Sequence, residues 1–398
     1  MEHAYIIDGR RSYIGVENGM YKHLPAEVLA AEVLCALVPE DVRQTVDEVI
    51  VGNGVGASGN IGRLATLTAH FPQAVPAYTV DMQCGSGLEA LTIAAAKIRS
   101  GQADLIVAGG VDSSSTAPRR AYNRNHPDYE RYGGEESFYS VAKFAPGEHD
   151  PYAMIRGAER VALDVQMTRQ ELNKWVLRSH SLAKQAREAG VLEPYLVGVQ
   201  GATADAGIRD RISERFLDKL PPLLPDGAIL TAGNTCLMHD GAAFLMVASE
   251  RYVKEHNLTP LAEIVDSVTV GGNPDKSPET AILAIQKLLA KTKHTAEDIA
   301  VFECNEAFAV IDELFARAYP EAVDHYNRYG GALAYGHPYG ASGGIITIHA
   351  CRALQETPGY AVCSIAAAGG IGSMLADLIP GYASFAPGTL VIKALMAF

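Results

Sequence analysis

The stretch VDMQCGSGLEAL, residues 80–91, decides the fold, because it runs from a strand through a small-residue turn into a helix. Apolar residues recurring on one face predict that helix over residues 87–100. This order places Cys84 at a helix N-terminus, where unpaired backbone N–H groups and the helix dipole favour a thiolate. A buried core cysteine is the commoner alternative.

Predicted strands surround this stretch and alternate with helices, which is typical of layered α/β folds. Residues 47–52 (DEVIVG) and 79–82 form two of them. Residues 104–109 (DLIVAG) are apolar without alternation, as expected of a strand buried on both faces.

The same order recurs roughly 250 residues later. It comprises a strand, a glycine-rich turn (YGHPYGASGG), a helix and a buried strand, at residues 299–303, 335–344, 345–354 and 359–366. A repeated unit of this kind indicates a duplicated fold. The repeat puts His337 in the position equivalent to Cys84.

The chain divides into two duplicated halves, an inserted loop domain and a C-terminal extension. The inserted part is polar and turn-rich and contains a helix predicted near residues 169–189. The predicted segments are 1–113 with 235–263, 114–234, 264–380 and 381–398.

Composition excludes several classes of protein. A formal net charge of −13 without a basic run argues against nucleic-acid binding. No signal peptide is apparent, and no apolar run approaches the roughly 20 residues that span a bilayer. The six cysteines form no CxxC pair, which predicts a reducing cytoplasmic location. No His or Cys cluster has metal-ligand spacing, so no metal is expected.

Two further sites carry polar groups that could assist a nucleophilic cysteine. His337 lies in a glycine-rich turn before a helix, where a neutral imidazole could take a proton from Cys84; a locally bonded turn histidine is the alternative. Asn305 and Glu306 follow a buried strand, where polar groups are costly unless satisfied. Asn305 could hold a water at an oxyanion site or cap a helix, and Glu306 could fix the loop or orient His337.

Together, the ordered motifs resemble the thiolase family over roughly residues 1 to 380. They include VDMQCGSGLEAL, MTRQELNKWVLRSHSLA, TAGNTCLMHDGAA, ECNEAFAV, YGGALAYGHPYGASGG and AGGIG. The resemblance implies a five-layer αβαβα core from two similar halves and a loop domain that holds coenzyme A. It also implies a homodimer or homotetramer and acyl transfer between acyl-CoA thioesters, with no permanently bound cofactor.

The resemblance assigns the catalytic roles. Cys84 matches the nucleophile that carries the acyl group, His337 its activating base, and Asn305 the residue that holds an oxyanion-hole water. The backbone N–H groups of Cys84 and Ala368 match the second oxyanion hole.

The resemblance also assigns the substrate path. Met154, Leu237 and Phe308 match residues lining the acyl and pantetheine path, and Arg209 matches one at the adenine end. Cys236 and Leu237 depart from the small Ser-Gly pair expected there. Residues 271–276 form a shorter stretch than usual, without a methionine often found in it.

The most consequential departure is at Ala366. Alignment on the late glycine run puts Ala366 where the family has a second cysteine, the acid/base for C2 of the second acyl-CoA. Cys363 lies three residues earlier, an odd offset that directs a strand side chain to the opposite face.

Three hypotheses follow from this pattern. The first is a working acetyl-CoA C-acetyltransferase or 3-ketoacyl-CoA thiolase in fatty acid metabolism, with another group covering for Ala366. The second is an acyl-CoA thioester hydrolase or acyltransferase without Claisen chemistry. The third is a non-catalytic CoA-binding protein that retains the fold.

Overall fold

The computed structural model describes residues 2–56, 59–136, 138–139, 141–236 and 238–379. The predicted extension at 381–398 and the predicted site residue Leu237 lie outside the described residues. The four segment boundaries predicted from the sequence stay predictions.

Strands and helices alternate along the described chain. The strands are β1 (Ala4–Ser12), β2 (Gly15–Val16), β3 (Glu48–Gly52), β4 (Ala77–Val80), β5 (Leu105–Ser113), β6 (Leu196–Val197), β7 (His239–Ser249), β8 (Ala262–Gly271), β9 (Ile299–Cys304), β10 (Tyr360–Ala367) and β11 (Ile371–Ile379). The α-helices are α1 (Ala26–Leu37), α2 (Ile61–Thr68), α3 (Ser86–Arg99), α4 (Ala153–Asp164), α5 (Arg169–Glu188), α6 (Glu214–Leu217), α7 (Glu250–Glu255), α8 (Glu279–Thr292), α9 (Ala309–Ala318), α10 (Ala332–Tyr335) and α11 (Tyr339–Glu356).

The strands form one hydrogen-bonded sheet with two similar halves. Its order is β4-β3-β5-β7-β1-β8-β11-β10-β9, and β1 joins the halves by pairing with both β7 and β8. In the first half β5 runs parallel to β3 and antiparallel to β7. In the second half β10 runs parallel to β9 and antiparallel to β11. The matching pattern supports the duplication seen in the sequence.

Helices cover both halves and fill the space between them. Helices α1 and α2 pack on the outer face of the first half, and α8 packs on the outer face of the second. Helices α3 and α11 pack against each other and against strands of both halves. Three apolar clusters match these interfaces, with α3 and α11 in the central one. The predicted five-layer αβαβα architecture is confirmed.

Helix α11 begins earlier than the sequence predicted. The turn was expected to extend to residue 344, whereas the helix starts at Tyr339 and includes Gly340, Gly343 and Gly344. These glycines permit close packing, since a Cβ at Gly343 would overlap the backbone of Leu88 at the start of α3. The cost of glycine in a helix is offset here by contact between the two central helices.

A buried carboxylate joins the two central turns. Asp112, at the end of β5, accepts hydrogen bonds from the backbone N–H groups of Gly54 (2.9 Å), Val55 (3.0 Å) and Gly340 (2.5 Å). It also accepts one from Asn53 Nδ2 (2.7 Å). Burial raises the pKa of Asp112 to about 6.

Replacing Asp112 with Asn should lower the free energy of unfolding by about 2–4 kcal/mol. An amide has one acceptor oxygen, and its NH₂ group would face backbone donors. Urea denaturation would measure the change. The matched control is Asp275→Asn, which removes an exposed ion pair to Arg160 and should cost less than about 1 kcal/mol. An Asp112→Asn protein as stable as the control would contradict the prediction.

Candidate active site

Cys84 is presented by a tight turn between β4 and α3. Gln83 adopts a left-handed backbone conformation with φ of 52°. The Ser86 hydroxyl accepts from Met82 N–H (2.9 Å) and donates to the Gln83 carbonyl (2.6 Å), which closes the turn. The helix begins two residues after Cys84, and Cys84 is 8% exposed. Cys84 is therefore almost enclosed.

The resting Cys84 is a neutral thiol, contrary to the expectation of a thiolate. Burial and then Asp112 raise the pKa of the Cys84 thiol to about 12. The backbone N–H groups of Cys84 and Ala368 point at the sulfur and lower the pKa, but by less than burial raises it. A base is therefore needed to make the nucleophile.

His337 has the geometry of such a base. Its Nδ1 lies 2.6 Å from the Ser342 hydroxyl, which donates its own proton to the Pro338 carbonyl (3.0 Å). Ser342 therefore accepts, Nδ1 carries the imidazole proton, and Nε2 carries the lone pair. The backbone N–H of His337 donates to His239 Nδ1 (3.2 Å), which fixes the turn.

His337 should remain a competent base well below neutral pH. Burial, followed by repulsion from His239, lowers its pKa to about 3. A lowered pKa moves the acidic limb of a base-dependent rate from near pH 6.5 towards pH 3. The rate of Cys84 acylation should therefore show no His337 titration between pH 5 and 7.5, as measured by rapid quench and intact-protein mass spectrometry. A tenfold fall per pH unit below 6.5 would contradict this prediction.

Asn305 is bonded directly to His337. The Asn305 Nδ2 donates to His337 Nε2 across 3.3 Å, and both side chains are buried. The helix-cap alternative for Asn305 is wrong, because α9 begins at Ala309 and its N-cap is Phe308. At 3.3 Å this bond is longer than most hydrogen bonds with an N–H donor.

Glu306 fixes the loop and does not orient His337. Its carboxylate accepts from the Ser179 hydroxyl (2.6 Å), Asn327 Nδ2 (2.9 Å) and the backbone N–H of Leu333 (3.1 Å). These bonds tie the segment after β9 to α5 and α10. Glu306 therefore holds in place the loop that carries Asn305.

The two reactive turns meet where α3 and α11 cross. Gly87 lies against the Gly340 carbonyl so closely that a Cβ at Gly87 would overlap it. Gly87 is three residues after Cys84 and Gly340 is three residues after His337. The crossing thus brings equivalent turns from the two halves to one place.

Ala366 and Cys363 lie on opposite faces of β10. The register against β11 is regular from Val362 to Ala367, with Ala366 opposite Gly372. Cys363 packs in the central cluster, with its thiol 3.8 Å from the Ile346 carbonyl. Ala366 packs in a different apolar cluster, the one that also contains Phe308. Without a bulge, the Cys363 thiol cannot reach the position of Ala366.

The structure brings together only some of the residues predicted to line the substrate path. Met154 and Phe308 belong to one apolar cluster. Cys236 lies beside them, with its N–H donating to the Ala307 carbonyl (2.9 Å). Arg209 is exposed and lies apart from that cluster, where its N–H donates to His180 Nδ1 (3.2 Å) on α5.

Sequence reasoning missed three residues of the site. Ser342 and His239 bond to His337, and the Tyr339 ring packs against it. All three lie in motifs already quoted, and a hydroxyl five residues after the histidine is a usable signal for Ser342. Across the described part of the chain, no three metal-ligating side chains are grouped. No described helix is long and apolar enough to cross a membrane.

Known proteins with this fold identify the class. The pattern described as "Thiolase, N-terminal domain" matches residues 4–251, and "Thiolase, C-terminal domain" matches residues 258–377. A Bacillus subtilis protein, YhfS, provisionally named an acetyl-CoA C-acetyltransferase, is 33% identical over 94% of this chain and 98% of its own. The Staphylococcus epidermidis VraB, named in the same way, is 35% identical over 86% of this chain and 90% of its own.

Solved structures agree with these matches. Bacillus anthracis acetyl-CoA acetyltransferase has a TM-score of 0.85 and 30% identity, covering 95% of this chain and 99% of its own. Human mitochondrial 3-ketoacyl-CoA thiolase in complex with CoA has a TM-score of 0.86 and 29% identity, covering 95% and 98%. The fold and these relatives define an acyltransferase enzyme. The chain belongs to the thiolase family.

Proposed function

We propose that this chain transfers acyl groups from coenzyme A thioesters through a thioester on Cys84. The observation that carries the proposal is the hydrogen-bonded series Asn305–His337–Ser342, held beside the turn of a buried cysteine. A base oriented by a third group and placed near a thiol is the arrangement expected for nucleophilic catalysis.

Acylation follows from the groups present. His337 Nε2 takes the Cys84 proton, and the sulfur attacks the carbonyl carbon of acyl-CoA. The backbone N–H groups of Cys84 and Ala368, which already face the sulfur, stabilise the oxyanion. The intermediate then expels the CoA thiolate, which recovers the proton from His337. Acyl-CoA is thus the substrate of acylation and coenzyme A its product, in keeping with the CoA complexes solved for two relatives.

Forming or breaking a carbon–carbon bond also requires a group in the site that transfers a proton at C2. Claisen condensation removes a C2 proton from the second acyl-CoA, and thiolysis returns one. The methyl group of Ala366 can do neither. This observation favours a second candidate: a thioester hydrolase, or an acyltransferase to another acceptor, that uses the same Cys84 thioester.

The test separates the candidates. Intact-protein mass spectrometry after mixing with acetyl-CoA should show an acetyl adduct, and acetoacetyl-CoA with CoA should give acetyl-CoA. Adduct formation without thiolysis would select the second candidate. Absence of any adduct would reject both and leave the non-catalytic hypothesis.

We also propose a homodimer or homotetramer. Strand β4 ends the described sheet, and the neighbouring α2 exposes Leu64 (49%) and Leu67 (38%). An open strand edge with exposed leucines beside it is suited to pairing with a second copy. Light scattering that gives a monomer mass would reject this proposal. A cytoplasmic location and a role in fatty acid metabolism stay predictions from the sequence.

A further inference from the structure

The backbone of Asn305 is fixed by hydrogen bonds to its neighbours. Its N–H donates to the Ser364 carbonyl on β10 (2.9 Å), and its carbonyl accepts from the Ala307 N–H (3.0 Å). Its side chain bonds to His337 Nε2 across 3.3 Å. The direction of this amide therefore depends on how firmly the residues around Asn305 are held.

The Asn327 side chain holds the residues immediately before and after Asn305. Its Oδ1 accepts from the Cys304 N–H (2.8 Å), and its Nδ2 donates to the Cys304 carbonyl (2.9 Å) and to Glu306 Oε1 (2.9 Å). Both protons of the Nδ2 group are therefore used. An amide turned the other way would face the Cys304 N–H with its own donors, so the partners fix its orientation.

Cys304 lies at an edge of the sheet. It is the last residue of β9, and β9 ends the order of the described strands. Because the Asn305 N–H faces β10, the peptide groups of Cys304 face away from it. Buried peptide groups need partners, and the Asn327 amide supplies them. Bonds to Cys304 alone would complete the strand, whereas the third bond, to Glu306, extends the hold past Asn305.

The backbone of Asn327 is itself rigidly held. Its φ is 42°, in the left-handed region, and the residue is fully buried. Asparagine tolerates that region better than most residues. The Asn327 N–H donates to the Phe302 carbonyl (2.8 Å), and its carbonyl accepts from the Gly330 N–H (2.9 Å). Such conformations persist only where the surrounding structure fixes them, and they concentrate at functional sites.

We propose that Asn327 is a positioning residue for acyl transfer, which directs the Asn305 amide at His337. It does so through the two residues on either side of Asn305. The inference deepens the proposed function and rests on the Cys84 thioester. Because Asn327 acts through Asn305, removing both side chains should slow the reaction no more than removing Asn305 alone.

The test measures the single-turnover rate of Cys84 acylation over a range of acetyl-CoA concentrations, by rapid quench and intact-protein mass spectrometry. Asn305→Ala should slow the maximal rate by about 100-fold. Asn327→Gly, which removes the side chain and accepts the positive φ, should slow it by about 10- to 100-fold, because small displacements of a catalytic group are costly. The acetyl-CoA concentration that gives half the maximal rate should stay within about twofold, because the reacting step is affected and binding is not.

The double variant, Asn305→Ala with Asn327→Gly, gives the decisive measurement. It should acylate at the rate of Asn305→Ala within about threefold, since effects transmitted through one residue are not additive. Asn327→Asp is a second, nearly isosteric variant that keeps the acceptor for the Cys304 N–H. A carboxyl group has at most one O–H, which cannot serve the Cys304 carbonyl and Glu306 together, so Asn327→Asp should also slow acylation.

Asn173→Ala is the matched control. It removes another fully buried asparagine, bonded to Asp218 across 3.1 Å from α5, and should leave the maximal rate within about twofold of wild type. A double variant slowed by the product of the two single effects would show that Asn327 acts independently of Asn305 and would overturn the inference. Asn327 variants that acylate as wild type, or that only weaken acetyl-CoA binding, would overturn it as well.

The wild-type protein separates this inference from the function beneath it. If wild type forms the acetyl adduct and the double variant shows independent effects, only the role of Asn327 is rejected and the Cys84 thioester stands. No adduct on wild type would reject the proposed function and the inference together.

Discussion

Cys84→Ala should form no acyl adduct with acetyl-CoA, and any acyl transfer should fall by roughly 10⁴-fold or more, as for nucleophiles that act as one unit with their base. The reason is covalent: the proposed reaction passes through a thioester that only this sulfur can form. Rapid-quench mass spectrometry measures the adduct, and release of CoA measures the turnover.

The size of the effect depends on the pairing of Cys84 with His337. Because burial keeps Cys84 protonated, the sulfur and the imidazole act together, and loss of either should leave only binding and oxyanion stabilisation. Cys84→Ala removes one small group at an 8% exposed position, so the fold should persist.

Cys363→Ala is the matched control. This thiol lies in the same central cluster but faces α11, and its loss should leave the acetyl adduct intact. An acetyl adduct retained in Cys84→Ala and lost in Cys363→Ala would place the nucleophile on β10 and would falsify the mechanism.

Much of the fold was predictable because it depends on local patterns. The strand at residues 104–109 and the helix at 87–100 were expected from apolar runs and periodicity, and they appear as β5 and α3. The start of α11 was not predictable, because glycines normally argue against a helix. Only the tertiary contact with α3 makes Gly340, Gly343 and Gly344 suitable there.

The candidate site was also only partly predictable from the sequence. Cys84 and Asn305 were predictable because each follows a strand, and His337 because it lies in a glycine-rich turn before a helix. The charge state of Cys84 was not predictable, because stabilisation of a thiolate by a helix end is local, whereas burial depends on the whole fold. The Ser342 and Tyr339 contacts needed the geometry of the helix start, which the sequence placed too late.

A second large effect on activity is expected from a substitution at Ala366. Adding a single sulfur atom there, as cysteine, could restore the acid/base group for C2. Ala366 is buried on the face of β10 away from Cys363, and the regular pairing with β11 leaves no bulge to change that direction. Asn305 follows β9, which runs beside β10, so a thiol at residue 366 would lie on the strand next to the acyl site.

Ala366→Cys should raise the rate of acetoacetyl-CoA thiolysis by about 100- to 10,000-fold, the usual contribution of a general acid–base group. The rate of Cys84 acylation by acetyl-CoA should change little, because that step uses His337. Ala366→Ser is the matched control, since it adds a similar volume without an acidic thiol and should give no comparable gain. If Ala366→Cys is no faster than Ala366→Ser while both acylate normally, proton transfer at C2 does not limit this enzyme, and its thioester serves an acceptor other than carbon.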